Sequence, residues 1–263
     1  MRPAETIEGS ARANGRMNTT KQHIIAGTIP ARKTKHPMLG RIERLMHRVE
    51  YRRMVDFEDR QAIFHLRRDA YARHTRGADS WAAPEIEDAK EPNAATVGVF
   101  IDDRLVGSFK ILVVTADFPD CPGRDFFPDE VDQMLEKGQM LIDPIRFVSD
   151  PKAAAEFPEL PFLLIKIVIM ACQYFGADAC LQLIKLEHAS FYQRIFQSDI
   201  VAGPKWYDPL EVDAVLLSAD LEKVLADVLD RFPCWEADHL ELRQMFGPLS
   251  DWPAVSGRLK NVA

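Results

Sequence analysis

The sequence predicts an α/β (α+β) fold with a central mixed, mostly antiparallel sheet and helices on both faces. The first observation is the order of elements that the apolar patterns predict: strand, helix, β-hairpin, strand, helix, strand, helix, strand. The second is the segment 161–175, which is apolar almost all round, as in a helix buried between layers. Elements in this order pack naturally as one sheet between helices.

The first half of the chain predicts a strand, a helix and a hairpin. Alternating residues over 50–55 predict the strand, and apolar residues at helical spacing over 59–74 predict the helix. The apolar segments 96–101 and 105–115 flank the turn sequence Asp102-Asp-Arg104, which is typical of a β-hairpin.

The second half alternates helices and strands after one long insertion. Pro161 suits the first turn of the buried helix, and Gly176 suits its end. The predicted elements are, in order, an insertion at 116–138 that ends in a short helix at 129–137, a strand at 139–142 that breaks into a loop, a loop at 149–159, the buried helix, a strand at 179–184, a helix at 188–196, a strand at 212–217 and a helix at 221–229.

Charge and composition divide the chain into three parts. Its first 48 residues carry ten Lys/Arg against three acidic residues, whereas the whole chain has a formal net charge of −7. We therefore predict a basic, flexible N-terminal extension at 1–45, a single domain at 46–232 and a C-terminal tail at 233–263. The two tryptophans of the tail are expected to lie over the core or to meet a partner.

Cysteine, histidine and apolar patterns narrow the class of protein. The four cysteines form no CxxC pair, which fits a reducing cytoplasm, and the seven histidines form no HExxH or paired Cys/His motif, so no metal is expected. The longest apolar run, 160–172, contains Lys166 and is shorter than the ~20 residues that span a bilayer. Because a signal peptide is also not evident, we expect a cytoplasmic protein.

The stretch Asp143-Pro-Ile-Arg146-Phe147 is the leading candidate for a site. A carboxylate and a guanidinium three residues apart at a strand end are costly to bury, so they form either a structural ion pair or a functional site. Together with Arg67, Tyr71 and Lys110 upstream, we interpret them as a site.

Four motifs carry a family resemblance. They are Arg67 with Tyr71 in the first helix, Glu85 with Asp88 in the following loop, Gly107-Ser-Phe-Lys110 on the second hairpin strand, and Asp143-Pro-Ile-Arg146-Phe147 on the next strand. Over residues 50–220 the chain resembles the GNAT acyltransferase superfamily, and more closely the branch of acyl-homoserine lactone synthases and long-chain N-acyl amino acid synthases. Lys110 stands where that branch has Arg, and Asp143 where it has Glu. The resemblance implies a GNAT-like acyltransferase domain at 46–232.

The resemblance also bears on the acyl donor. Common GNAT enzymes have a glycine-containing loop after this strand, whose backbone N–H groups hold the pyrophosphate of coenzyme A. The corresponding segment here, 149–156, contains no glycine. Thioesters of acyl carrier protein lack that nucleotide, so we expect acyl-ACP rather than acyl-CoA as donor, with no bound cofactor.

Amide formation from a thioester assigns roles to the candidate residues. Asp143 would take the proton of the attacking amine. Arg146, Arg67 and Lys110 would orient the acidic network or bind an amino acid carboxylate. Tyr192 resembles the GNAT tyrosine that protonates the departing thiolate. Each has a structural alternative: an Asp143–Arg146 ion pair, a solvated cation, or a tyrosine that only packs.

Further residues are predicted to bind substrate. Tyr71, Glu85 and Asp88 belong to this set through the resemblance. Aromatic and apolar residues are also candidates for an acyl tunnel, although a hydrophobic core would use the same residues: Phe109, Phe126, Phe127, Met140 and Phe147.

The sequence therefore predicts an N-acyltransferase that joins a fatty acyl group from acyl carrier protein to an amino acid. The alternatives are an acyl-homoserine lactone synthase that uses S-adenosylmethionine, a coenzyme A-dependent GNAT enzyme, and a non-catalytic module that binds acyl chains or carrier protein. No nucleic-acid partner is expected, and the basic N-terminus is a candidate for peripheral membrane contact. Basic residues near the N-terminus are candidates for steering the acidic carrier protein: Arg32, Lys33, Lys35, Arg41, Arg44 and Arg48.

Overall fold

One eight-stranded sheet organises the computed structural model, which describes residues 23–25, 37–71, 92–208 and 211–255. Its spatial order is β1-β2-β3-β4-β5-β6-β8-β7, and every neighbouring pair is antiparallel except β5 and β6. The strands are β1 His23–Ile25, β2 Val49–Arg53, β3 Ala94–Ile101, β4 Arg104–Val114, β5 Leu141–Ser149, β6 Ala179–Lys185, β7 Asp199–Tyr207 and β8 Val212–Asp220. The predicted mixed, mostly antiparallel sheet with helices is confirmed.

Helices cover both faces of this sheet. The described helices are α1 Pro37–Met46, α2 Phe57–Tyr71, α3 Pro122–Phe126, α4 Pro128–Glu136, α5 Pro151–Glu156, α6 Leu160–Phe175, α7 Ala189–Phe196, α8 Leu221–Arg231 and α9 His239–Phe246. The first face packs against α6 and its neighbours in the larger core, and the second face packs against α4. The predicted buried helix is α6, and nearly all of its side chains are buried.

Three segments differ from the sequence prediction, and β5 is the third, described below. The predicted loop at 149–159 contains α5, which Asp150 caps by accepting a hydrogen bond from the Ala153 N–H at 2.8 Å. Strand β7 was not predicted. Its pairing with β8 has two register irregularities, so its side chains do not alternate regularly between the two faces.

Strands β5 and β6 separate soon after they begin. They pair in parallel only at Leu141 with Ala179 and at Ile142 with Cys180. Pro144 follows two residues later and has no backbone N–H to offer a ladder. β5 remains paired with β4 through Ser149, and β6 remains paired with β8 through Lys185. A gap therefore opens in the middle of the sheet.

The prediction that β5 breaks into a loop after Ile142 is wrong, because β5 runs to Ser149. The apolar pattern ends at Asp143, but hydrogen bonding to β4 continues beyond it. Asp143 and Arg146 therefore lie within a strand and not in a loop after it.

Glycine at position 107 lets α6 approach the sheet closely. A Cβ atom there would lie 2.7 Å from Cδ2 of Leu164 and 3.1 Å from the carbonyl oxygen of Val148. A side chain at this position would therefore push Leu164 aside and press on β5, so Gly107 favours the close approach of α6 to β4.

Described residues on both sides of the predicted domain add to its core. Ile42 of α1 is fully buried, as are Trp235 and Trp252 of the C-terminal segment. The indole N–H of Trp235 donates to the Phe162 carbonyl at 2.8 Å, and Lys166 forms an ion pair with Glu241 at 2.7 Å. Residues 233–255 therefore cover α6. Within the described residues, no helix has the length and apolar character needed to cross a membrane.

Candidate functional site

A cavity of about 740 Å³ occupies the gap between β5 and β6. On the first face its wall is mostly apolar, and on the second face it includes Tyr71, Pro122 and Asp143. We refer to these as the apolar half and the polar half. The apolar half consists of Ile165, Val168, Ile169, Cys172, Cys180, Phe196, Ala219 and Leu221. Because both faces contribute walls, the cavity passes through the sheet.

Asp143 lies in the polar half and is only 1% exposed. It shares the second face with Leu141, and it is paired across the strands with Leu112. Neither carboxylate oxygen has a hydrogen-bond partner of ordinary geometry among the described residues. Burial raises the pKa of Asp143 to about 6, and the nearby Gly123 N–H and Cys121 thiol offset part of this effect.

The structural alternative for Asp143 was an ion pair with Arg146. Among the described residues, no ion pair joins the two side chains. Arg146 has a φ of 54° and lies where the register between β4 and β5 shifts. At this point Arg146 and Phe147 on β5 lie opposite the single residue Phe109 on β4. This arrangement is a β-bulge. The bulge interrupts the regular alternation between Asp143 and Arg146, and Arg146 also lines the cavity.

Arg67 and Lys110 lie behind the polar half. Arg67 is fully buried on α2, which packs against β4 and β5. Lys110 is 1% exposed and is paired with Ile145, so it is a diagonal neighbour of Asp143 on the second face. The alternative that Lys110 is a solvated surface cation is therefore wrong. Glu85 and Asp88 lie outside the described residues.

Tyr192 extends from α7 into the wall of the cavity. Burial, and secondarily the nearby Cys180, raise the pKa of Tyr192 to about 12. Its ring stacks on Phe196 with centroids 6.0 Å apart. The hydroxyl therefore stays protonated at neutral pH and can donate a proton inside the cavity.

Of the predicted acyl-tunnel aromatics, Phe147 lines the cavity and Phe109 does not. Phe109 is fully buried in the first-face core and stacks on Phe147 with centroids 6.1 Å apart. Phe126 and Phe127 contact each other edge to face beside the second-face core, and neither lines the cavity. Sequence reasoning could not separate these residues because core and tunnel use the same side chains.

The sequence reasoning missed the walls contributed by α6 and β6. Gln182 of β6 is 4% exposed and lines the cavity. The signal was a glutamine in the otherwise apolar strand segment 179–184. The other signal was Pro144, since a proline in an interior strand indicates interrupted pairing.

The cavity also contains two thiols. Hydrogen bonding to Cys180 and burial hold the pKa of Cys172 well above its usual range, which keeps this thiol protonated and weakly nucleophilic. Within the described ranges, no group of three His, Cys, Asp or Glu side chains is arranged to hold a metal ion.

Comparisons with known proteins found one matching family model and several similar solved structures. The family model described as N-acyl amino acid synthase FeeM matches residues 62–220, which is more than half of the chain. No curated protein sequence matches.

Among solved structures, the chain is similar to FeeM, an N-acyl amino acid synthase from uncultured soil microbes. The identity is 21%, with a TM-score of 0.56, over 70% of this chain and 97% of that one. It is also similar to the CoA-dependent acyl-homoserine lactone synthase BjaI, with 14% identity and a TM-score of 0.48, over 70% of this chain and 88% of that one. An acyl-CoA N-acyltransferase from Pseudomonas aeruginosa shows 14% identity and a TM-score of 0.44, over 65% of this chain and 97% of that one.

Proposed function

The chain belongs to the N-acyl amino acid synthase FeeM family and is an N-acyltransferase, and on that premise we propose that it transfers a fatty acyl group from acyl carrier protein to an amino acid. The product would be an N-acyl amino acid. The observation that carries the proposal is Asp143, a buried carboxylate at the point where the cavity passes through the sheet.

The gap between β5 and β6 suits the thioester. An extended acyl donor that lies in it places its alkyl chain in the apolar half and its carbonyl near Asp143. The amine attacks from the polar half, a C–N bond forms and the C–S bond breaks. Arg146, in the same wall, provides a cation that favours the developing oxyanion.

Asp143 and Tyr192 suit the two proton transfers. With a pKa of about 6, Asp143 is ionised at neutral pH, yet it is a stronger base than an exposed carboxylate. It takes the proton that the amine loses. Tyr192 lines the same cavity and its hydroxyl is protonated at neutral pH, so it gives a proton to the departing thiolate. The high pKa of Cys172 favours direct transfer over an acyl-enzyme intermediate.

The buried cations support an acceptor that carries a carboxylate. Arg67 and Lys110 lie on the same face of the sheet as Asp143, where the amine would approach. An α-amino acid places a carboxylate within a few ångströms of its amine, and guanidinium groups bind carboxylates through two parallel hydrogen bonds. Lys110 would contribute a single positive charge.

The start of helix α6 supports a carrier-protein donor. The Leu160 N–H donates to the Phe157 carbonyl at 3.0 Å, and the N–H groups of Phe162 and Leu163 donate to the Glu159 carbonyl at 2.9 and 3.3 Å. Pro161 has no N–H, so the first turn has no donor left for a pyrophosphate. The Glu159 side chain is also held nearby by Arg41 at 2.6 Å. A donor without a nucleotide does not need this position.

The proposed steering of carrier protein rests on fewer residues than the sequence predicted. Arg41 and Arg48 form ion pairs with Glu159 and Asp102, while Arg44 is exposed. The remaining candidates, Arg32, Lys33 and Lys35, lie outside the described residues, as does most of the segment proposed for membrane contact.

A non-catalytic binding module is less consistent with the site. A module that only held acyl chains would gain nothing from a buried carboxylate whose oxygens have no hydrogen-bond partner among the described residues. Such a group destabilises the fold and is retained where its chemistry is used.

Mass spectrometry of solvent extracts from a bacterial host that expresses this chain tests the proposal. We expect N-acylated amino acids with the parent chain and with Asp129→Asn, a control at an exposed aspartate of α4. Asp143→Asn should lower their yield at least about 100-fold. Purified enzyme should then use dodecanoyl-ACP far better than dodecanoyl-CoA. Equal turnover of both donors would contradict the carrier-protein proposal, and an undiminished yield from Asp143→Asn would contradict the role of Asp143.

A further inference from the structure

Gln182 is a buried polar side chain that the proposed reaction does not use. Its Nε2 donates to the Cys180 carbonyl at 2.8 Å, which fixes the orientation of the amide, since only the nitrogen can donate. Its Oε1 is buried and has no hydrogen-bond partner among the described residues. An acceptor left in this state destabilises the folded chain.

The surroundings of Gln182 do not explain its presence. It is paired across the strands with Leu217, and its neighbours on the same face of β6 are Cys180 and Ile184. A leucine would suit these contacts without leaving an acceptor unsatisfied. Gln182 also lines the cavity, so a rotation of its side chain would let a bound molecule provide the missing donor.

The position of Gln182 limits which part of a substrate it can contact. If the register of β5 and β6 continued past Ile142 and Cys180, Gln182 would lie level with Pro144, next to Asp143. Gln182 shares the first face with Cys180, whereas Asp143 lies on the second face. The amide is therefore close to the reacting carbonyl, on the side of the acyl chain.

We propose that Gln182 is a specificity-determining residue whose Oε1 accepts a hydrogen bond from an O–H or N–H of the acyl donor, within a few bonds of the thioester carbonyl. This inference rests on the proposed function. One source of the donor is the hydroxyl of a 3-hydroxyacyl chain, which the location on the first face favours. The other is the amide N–H nearest the sulfur in the pantetheine arm.

The test compares dodecanoyl-ACP and 3-hydroxydodecanoyl-ACP as donors for the parent enzyme, Gln182→Leu and the near-isosteric Gln182→Met. Gln173→Leu is the matched control, because Gln173 also has an Oε1 without a partner but does not line the cavity. We expect the parent to prefer the hydroxylated donor about tenfold in kcat/KM, in line with one lost hydrogen bond. Both Gln182 variants should lose this preference, so that their kcat/KM values for the two donors become equal.

A different pattern would identify the pantetheine arm. The kcat/KM for both donors would then fall about tenfold in the Gln182 variants. Replacing the amide of the pantetheine arm by an ester would lower kcat/KM of the parent by the same factor and that of the variants little. Unchanged kcat/KM for both donors in Gln182→Leu and Gln182→Met would overturn the inference.

The test separates this inference from the proposed function. If the parent turns over neither donor, the proposed function fails. Calorimetry with stable amide analogues of both donors then tests Gln182 alone. Tighter binding of one analogue that is lost in both Gln182 variants supports the inference, and identical binding by parent and variants contradicts it.

Discussion

The two halves of the cavity differ in the side chains that form them, which are charged in one half and apolar in the other. In the polar half and directly behind it, Asp143, Lys110 and Arg67 are each at most 1% exposed, although charged side chains are rarely buried so completely. In the apolar half, α6 contributes Ile165, Val168, Ile169 and Cys172, side chains that any core would contain. The polar half can therefore be recognised in the sequence, because a stable core avoids such residues. The apolar half cannot, because its residue types are those of any core.

This difference assigns separate tasks to the two halves. Charged groups that cost stability are retained where they act on the reacting atoms. Apolar walls contribute shape and exclude water, so they determine which chain fits and how tightly it binds. Substitutions in the polar half should therefore change the rate, and substitutions in the apolar half should change the preference among donors.

The largest expected effect is that of Asp143→Asn on the rate. Because the amide cannot accept the amine proton, kcat should fall by about 10²–10⁴-fold with little change in KM for the donor. In the parent, the pH profile of kcat/KM should bend near pH 6, the value to which burial raises the pKa of Asp143, and the variant should lack this bend. Single-turnover acyl transfer measures both quantities. An unchanged bend in Asp143→Asn would assign it to another group.

The same substitution should have the opposite effect on stability. An unfolded aspartate ionises near pH 3.8, whereas the folded pKa of Asp143 is about 6, so the folded state binds the proton more tightly. Stability is therefore lost as the pH rises from about 4 to about 6, by up to about 3 kcal/mol, and changes no further from this group above that window. Urea unfolding at pH 4 and pH 7 should show a loss in the parent that is smaller in Asp143→Asn. Equal losses would show that Asp143 does not carry this cost.

Tyr192→Phe should have a smaller effect on the rate. Without its hydroxyl the thiolate must take its proton from water, so we expect kcat to fall about 10- to 100-fold. A donor whose leaving thiol has a lower pKa should depend less on this residue. The test measures kcat in the parent and in Tyr192→Phe, once with an ordinary thioester donor and once with a donor whose leaving thiol has a lower pKa. An equal loss of kcat for both donors would indicate that Tyr192 only packs.

The smallest expected effect concerns chain length. Ala219 lies in the apolar half on β8, paired with Cys180, and Ala219→Leu adds volume to the cavity wall. We expect kcat/KM for the longest acyl donors to fall several-fold relative to octanoyl-ACP, since each buried methylene contributes about 0.8 kcal/mol. Competition between two chain lengths in one reaction gives this ratio directly. An unchanged ratio would place the end of the alkyl chain elsewhere.

The sequence predicts the sheet and the charged residues of the site better than the cavity. Alternation and helical spacing predicted the described long strands except β7, whose irregular pairing hides its pattern, and the part of β5 beyond Ile142, where the apolar run ends. Asp143 and Lys110 were identifiable because charges in apolar strands are conspicuous. The cavity was not predictable, since it arises from the separation of β5 and β6, and strand pairing is a property of two distant segments. The single local trace of this separation was Pro144.

The covering of α6 by residues 233–255 also has a consequence for biosynthesis. Lys166 and the carbonyl of Phe162 find their partners in Glu241 and Trp235, which the ribosome adds about seventy residues later, as the sequence separations of 75 and 73 show. Until residues 233–255 are synthesised, the apolar surface of α6 that they cover is exposed in the nascent chain. Exposed apolar surfaces of this kind bind chaperones or aggregate. Slow translation of α9, or a stalled ribosome, would therefore prolong the exposure of α6.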